Sequence, residues 1–194
     1  MNQTTEIIFL LDRSGSMSGL EEDTIGGFNT LVKKQSEEEG RTVVTAVLFD
    51  NNYEMLWDGV EAGTVVLTKD NYFVRGSTAL LDAIGRTITT VSTRINNTEK
   101  ENRPNKVLFV ITTDGYENAS QEYSYKKVKK LIKKHEDKHH WEFLFIGANL
   151  DVAKEATSLG ISVEDAIIFD ATGSGVEKMY SQVSEELVRR RQFK

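Results

Sequence analysis

The chain has 194 residues, 39% of them hydrophobic and 28% charged, which fits one globular domain with a substantial core and excludes a disordered or fibrous chain. Its formal net charge of -6 argues against a general nucleic-acid binder, which needs a basic surface to displace counterions. It has no cysteine, so disulfides, thiolate zinc sites and cysteine nucleophiles are excluded, and a reducing compartment is permitted.

The opening residues, MNQTTEIIFLLDRS, lack a basic region, and the apolar run Ile7–Leu11 is too short for a signal peptide or a membrane span. No other stretch approaches membrane length. A cytoplasmic chain with a single domain over 1–194 and no membrane partner is therefore expected. Ile7–Leu11 reads as the first strand and Val43–Phe49 as the second. Asp50-Asn51-Asn52 is turn-prone, and no helical period follows it. Residues 50–68 thus read as a hairpin that adds one antiparallel strand at a sheet edge. Leu81, Ile84, Ile88, Val91 and Ile95 fall on one face of a helix. Pro104, the single proline, sits in a polar loop ahead of the strand Val107–Thr112. Val128, Leu131, Ile132 and His135 recur at helical spacing with lysines on the opposite side, and the spacing puts Val128, Leu131 and Ile132 inward. The lysine side is expected to be solvated rather than to bind nucleic acid. His135, His139 and His140 lack acid or cysteine partners at metal-binding spacing and are expected at the surface.

Phe143–Ile146 and Ala166–Phe169 read as further strands. The helix between them, from Asp151 to Leu159, is closed by Gly160. "TGSGVEK", from Thr172, lacks the full phosphate-loop pattern and is expected to cap a last helix over roughly 175–190. Several strands are continuously apolar, as strands covered on both faces are. Alternation of such strands with helices predicts an α/β fold: a doubly wound, mainly parallel six-stranded sheet with one antiparallel edge strand and helices on both faces.

In such a sheet, function gathers at the carboxyl ends of the strands, near the point where strand order reverses. The first strand runs into Asp12-Arg13-Ser14-Gly15-Ser16. The strand at Val107–Thr112 runs into Thr113-Asp114-Gly115, and "RGSTALLDAI" places Thr78 at a helix start after Gly76. Asp12, Ser14, Ser16, Thr78 and Asp114 offer oxygen alone, the donor that hard cations such as Mg²⁺ take. The D-x-S-x-S spacing lets alternate residues of one loop point the same way. Gly15 and Gly76 relieve crowding where backbone nears an ion. Taken singly, the serines and Thr78 also read as helix caps. Asp82, one turn beyond Thr78, reads as a helix-start or solvated acid, or as a residue behind the ligands. Arg13 reads as facing solvent or screening the acids. Tyr116, Glu117 and Asn118 are expected to rim the site.

The set resembles the metal-ion-dependent adhesion site of von Willebrand factor type A domains. There a D-x-S-x-S loop, a Thr in a G-x-T context and the Asp of a T-D-G turn bind Mg²⁺ or Mn²⁺. The five positions here are Asp12, Ser14, Ser16, Thr78 and Asp114, without a departure. The resemblance spans nearly the whole chain. "TDGYENAS" and "FIGANLD" are similar to the small stand-alone versions of bacteria and their phages. It implies that the serines and Thr78 are direct ligands and that the two aspartates act largely through water. An ion so held keeps much of its charge and takes an Asp or Glu of a partner protein. It also implies that the last helix relays the metal's ligand state. The expected function is metal-dependent protein binding without catalysis, with Mg²⁺ as the cofactor and Mn²⁺ or Ca²⁺ as alternatives.

Two other readings remain. A Mg²⁺-dependent phosphohydrolase or phosphotransferase shares the α/β sheet and the aspartate after the first strand. Its usual second acid, two residues on, is here Ser14. A scaffold with a purely structural metal would carry the same ligands. The partner's identity and the oligomeric state are not encoded in any motif.

Overall fold

The computed structural model describes residues 3–192. Strand β1 (Thr4–Asp12) is buried along its whole length. This is why its apolar run does not alternate: Ile7, Phe9 and Leu11 point to one face, and Ile8 and Leu10 to the other. Around it lie β2 (Arg41–Phe49), β3 (Tyr53–Glu61), β4 (Lys106–Thr113), β5 (Glu142–Gly147) and β6 (Ala166–Ile168). They form one six-stranded sheet in the order β3-β2-β1-β4-β5-β6. All neighbours are parallel except β2 and β3. The hairpin expected in residues 50–68 is thus present, with β3 as the antiparallel edge strand.

Helices α1 (Glu21–Ser36) and α5 (Gly173–Arg191) cover one face, through Phe28, Leu31 and Val32 of the former and Val176, Met179 and Leu187 of the latter. Helices α2 (Leu80–Asn97), α3 (Tyr125–His139) and α4 (Val152–Leu159) cover the other. The fold is therefore doubly wound, as the alternating pattern implied. The inner stripe of α1, Thr24, Phe28, Leu31, Val32 and Gln35, is polar at both ends, and Gly27 lies beside it. A Cβ on Gly27 would come within 2.3 Å of the Tyr180 ring, so this glycine lets α1 and α5 pack closely. Thr172 caps α5 by accepting the Gly175 N–H at 3.1 Å, and Gly160 closes α4 with φ +89°.

One sequence expectation needs correction here. His135 is buried, not at the surface: its Nδ1 meets the Leu131 carbonyl at 2.8 Å, and its ring packs on Trp141. Its position on the inner helical face outweighs its polarity. The lysines of α3, from Lys126 to Lys138, do face solvent. No helix among the described residues is long and apolar enough to cross a membrane.

The chain leaves β1 toward β2 on one side and later crosses to β4 on the other. Strand order therefore reverses between β1 and β4, and a crevice opens at their carboxyl ends. The opposite pole holds the start of β1, where Thr4 N–H donates to Asn105 Oδ1 at 2.8 Å. It also holds the end of α5, where the buried Arg191 donates to the Gln35 carbonyl at 3.0 Å.

Candidate metal centre

Asp12 ends β1 in the crevice. Its Oδ1 accepts the Ser14 N–H at 2.7 Å, a tight turn that swings the following hydroxyls toward β4. Residues 15–17 complete it as a single 3-10 turn. From β4, Thr113 donates its hydroxyl to Asp12 Oδ2 at 2.6 Å. Tyr72 donates its buried phenol to the Asp12 carbonyl, also at 2.6 Å. Asp12 is thus fixed by three elements.

The three hydroxyls and the second acid meet beside it. Thr78 Oγ1 donates to Ser14 Oγ at 3.0 Å, and Ser14 Oγ lies 3.2 Å from Ser16 Oγ. Ser16 Oγ donates in turn to Asp114 Oδ1. All five expected residues therefore come together, although Asp114 follows Ser16 by 98 positions. Asp12, Ser14, Thr78 and Asp114 are buried, while Ser16 faces solvent and forms the open side. The capping alternatives do not hold. The residues before α1 and α2 are Leu20 and Ala79, and neither helix start receives a side-chain cap from its N-cap residue.

The loop before α2 is laid against the serine loop by main-chain bonds. Arg75 N–H donates to the Arg13 carbonyl at 2.8 Å, and Gly15 N–H to the Gly76 carbonyl at 3.1 Å. Gly76 has φ +70°, and a Cβ there would lie 2.0 Å from Asn51 Oδ1, so glycine is required. Gly15 is different. A Cβ on it would meet the Gly76 carbonyl at an ordinary 3.5 Å.

The residues expected as a rim also brace the loop behind the site. Asn118 Oδ1 accepts the Thr78 N–H at 2.9 Å, and the Thr78 carbonyl accepts the Asn118 N–H at 3.0 Å. Glu117 accepts the N–H groups of Leu81, Ala119 and Ser120 at 2.7–2.9 Å. Tyr116 and Asn118 are exposed at the rim, as expected, and the Tyr116 hydroxyl accepts the Asp151 N–H at 2.9 Å. Asp82 is not solvated. It is buried and accepts three N–H groups, from Gln121, Glu122 and Tyr123, at 2.8–2.9 Å. These braces between α2 and the loop after β4 carry no local sequence signal.

Arg13 does not screen the acids. It is fully buried and points away from them, with Nε on Asp50 Oδ2 at 2.9 Å and Nη1 on Glu54 Oε2 at 2.7 Å. No cationic side chain among the described residues pairs with Asp12 or Asp114. Burial accordingly raises the Asp12 carboxyl to about 6, against the lowering effect of the Ser14 and Thr113 hydrogen bonds. Burial raises Asp114 as well. Asp114 Oδ2 is buried with no hydrogen-bond partner. An orphaned buried carboxylate oxygen beside two others held by hydroxyls is a costly arrangement for the protein alone, and a hard cation would relieve it. Among the described residues no three His, Cys, Asp or Glu side chains gather as a metal cluster. This set has only two carboxylates; its remaining donors are hydroxyls.

No protein-family model matches the sequence, and no curated protein does. Solved structures do match the fold. The vWF domain of the type V pili tip protein Mfa5 from Porphyromonas gingivalis superposes with TM-score 0.73 at 9% identity, over 100% of this chain and 98% of that one. The pilus adhesin SpaC of Lactobacillus rhamnosus GG gives 0.69 at 11% identity, over 97% of this chain and 30% of that one. Proximal thread matrix protein 1 of the mussel byssus, in a form with a zinc-occupied MIDAS motif, gives 0.63 at 16% identity, over 96% and 46%. The chain thus spans about half the length of the mussel protein. At these identities the likeness concerns architecture: the chain has an α/β fold of the von Willebrand factor type A kind.

Proposed function

We propose that this chain is a single metal-dependent protein-binding domain whose cation sits among Asp12, Ser14, Ser16, Thr78 and Asp114. The observation that carries the reading is the partnerless buried oxygen of Asp114 beside a cluster of hydroxyls. Oxygen-only donors favour Mg²⁺, with Mn²⁺ or Ca²⁺ as substitutes. The bound ion supplies an electrophilic centre for an anionic ligand. The chain's own residues hold that centre at the open Ser16 side, where a carboxylate of a partner protein reaches it. The zinc-occupied site of the mussel protein supports a divalent ion at this place in the fold. Binding rather than catalysis is favoured because the site's two carboxylates, Asp12 and Asp114, are engaged by hydroxyl and main-chain donors and no histidine stands beside them. The acid that phosphotransfer chemistry uses two residues after the first is Ser14, and His135 is packed at the far end of α3.

The test is calorimetric titration of Mg²⁺, Mn²⁺ and Ca²⁺ into chelated protein, with Asp114→Ala alongside. A displayed peptide library is then selected in Mg²⁺ and eluted with chelator. The wild type should bind ion and the variant should not, and eluted peptides should share an Asp or Glu. Ion binding without chelator-sensitive peptides would leave a purely structural metal. Equal ion binding by Asp114→Ala would refute the site.

A further inference from the structure

Asp50 belongs to none of the five oxygen-bearing residues, yet its bonds reach the neighbours of two of them. It follows β2 and is completely buried. Its Oδ2 accepts Arg13 Nε at 2.9 Å and Arg75 Nε at 2.8 Å. Its Oδ1 accepts the Asn52 N–H at 2.6 Å, and its carbonyl accepts the Ala79 N–H at 2.9 Å. Arg13 lies between Asp12 and Ser14, and Ala79 follows Thr78. One buried residue therefore ties the serine loop to the loop that carries Thr78, across three connections at the same pole of the sheet.

The charge balance points the same way. Arg13 is a fully buried cation between two candidate ligands, and its Nη2 has no partner. Its charge is met by Asp50, which is wholly buried, and by Glu54, whose side chain is 47% exposed. A bare guanidinium there would repel a divalent ion, and a buried charge is offset best by a buried counter-charge.

We propose that Asp50 is a positioning residue for the cation site: it fixes the Ser14 and Thr78 hydroxyls at their mutual distance and neutralises Arg13 beside them. This rests on the metal-binding reading above. It adds a residue from the turn after β2, a connection that contributes none of the five ligands. The hub also explains why Gly76 must be glycine. Asn51, next to Asp50, fills the space where a Cβ at position 76 would stand.

The experiment uses the whole chain, with Mn²⁺ affinity by calorimetry and Mg²⁺ titration followed by amide NMR. Asp50→Asn keeps the side-chain size and removes the charge. It should weaken Mn²⁺ binding about tenfold or more, the usual cost of losing an outer partner of a metal site. Before Mg²⁺ is added, the Ser14 and Thr78 amide resonances of Asp50→Asn should be displaced or broadened relative to the wild type, because the two loops lose the side chain that ties them. A merely stabilising residue would lower the melting temperature while leaving the affinity and these resonances as in the wild type. Glu54→Gln, which touches only the exposed partner of Arg13, should stay within about twofold. Arg75→Ala serves if Asp50→Asn does not fold, because the Arg75 side chain is 45% exposed and leaves the Arg13–Asp50 pair intact. It should lower affinity by less than Asp50→Asn and in the same direction. A folded Asp50→Asn with wild-type affinity and wild-type Ser14 and Thr78 resonances would overturn the proposal, as would an unchanged Arg75→Ala where Asp50→Asn does not fold. Failure of the wild type itself to bind Mn²⁺ would instead overturn the metal-binding reading on which the proposal stands.

Discussion

Replacing Asp12 with Asn should stabilise the metal-free protein at neutral pH while abolishing its response to metal. Asp12 is buried, and its carboxyl is raised from 3.8 to about 6. An acid whose folded value is raised favours the fold when protonated. Its contribution is complete below pH 4 and is lost as pH rises through 6. The full difference corresponds to about 3 kcal/mol against the ionised form at pH 7, of which about 1 kcal/mol is recovered between pH 7 and pH 5. Asn can occupy the position. Its oxygen still accepts the Ser14 N–H, and its amide can donate to Thr113 Oγ1, whose hydroxyl has the Gly115 carbonyl as a second acceptor at 3.1 Å. His135 titrates over the same interval in the opposite sense, because burial lowers its pKa and its protonation disfavours the fold. The quantity to measure is therefore the stability difference between variant and wild type, by urea unfolding in chelator at pH 5, 6 and 7. Asp12→Asn should be the more stable at pH 7, and its advantage should shrink by about 1 kcal/mol at pH 5. With saturating Mg²⁺ the order should reverse, because ion binding to the native state stabilises only the wild type. A less stable Asp12→Asn at pH 7 in chelator, or a difference independent of pH, would refute the account of this carboxylate as uncompensated.

Gly76→Ala forces a Cβ onto a backbone at φ +70° and toward Asn51, and should cost about 1–2 kcal/mol in urea unfolding. Asp82→Ala strips the acceptor from three N–H groups of residues 121–123 and should cost about 2 kcal/mol or more, which thermal unfolding in chelator will show. Gly27→Ala drives a methyl into the Tyr180 ring between α1 and α5 and should cost about 1–3 kcal/mol, read by calorimetry at unchanged metal affinity.

Much of this architecture is written in local pattern. Continuous apolar runs gave β1, β2, β4 and β5, because strands covered on both faces need apolar residues on both sides, and a shorter run gave the half-exposed β6. Helix α1 was not legible, since its inner stripe begins and ends on polar residues, Thr24 and Gln35, and the close approach at Gly27 depends on Tyr180, far along the chain. The five candidate ligands were legible through three short motifs whose chemistry is shared. What supports them was not. Arg13 looked like a loop cation because nothing near it in sequence shows that Asp50 and Glu54, 37 and 41 positions away, enclose it. Asp82 looked solvated because its three donors lie about forty residues on, in a loop with no period. Histidine is ambiguous by nature, and His135 followed its helical position rather than its polarity.

The start of β1 and the end of α5 share the pole of the sheet away from the candidate cation site. Near it, Arg191 grips the last turn of α1 at the Gln35 carbonyl. Cargo, surface or tag joined at either end of the described chain is therefore attached at the far pole, and the Ser16 side points away from the attachment. Immobilising the protein through its tail should leave ion and peptide access unchanged.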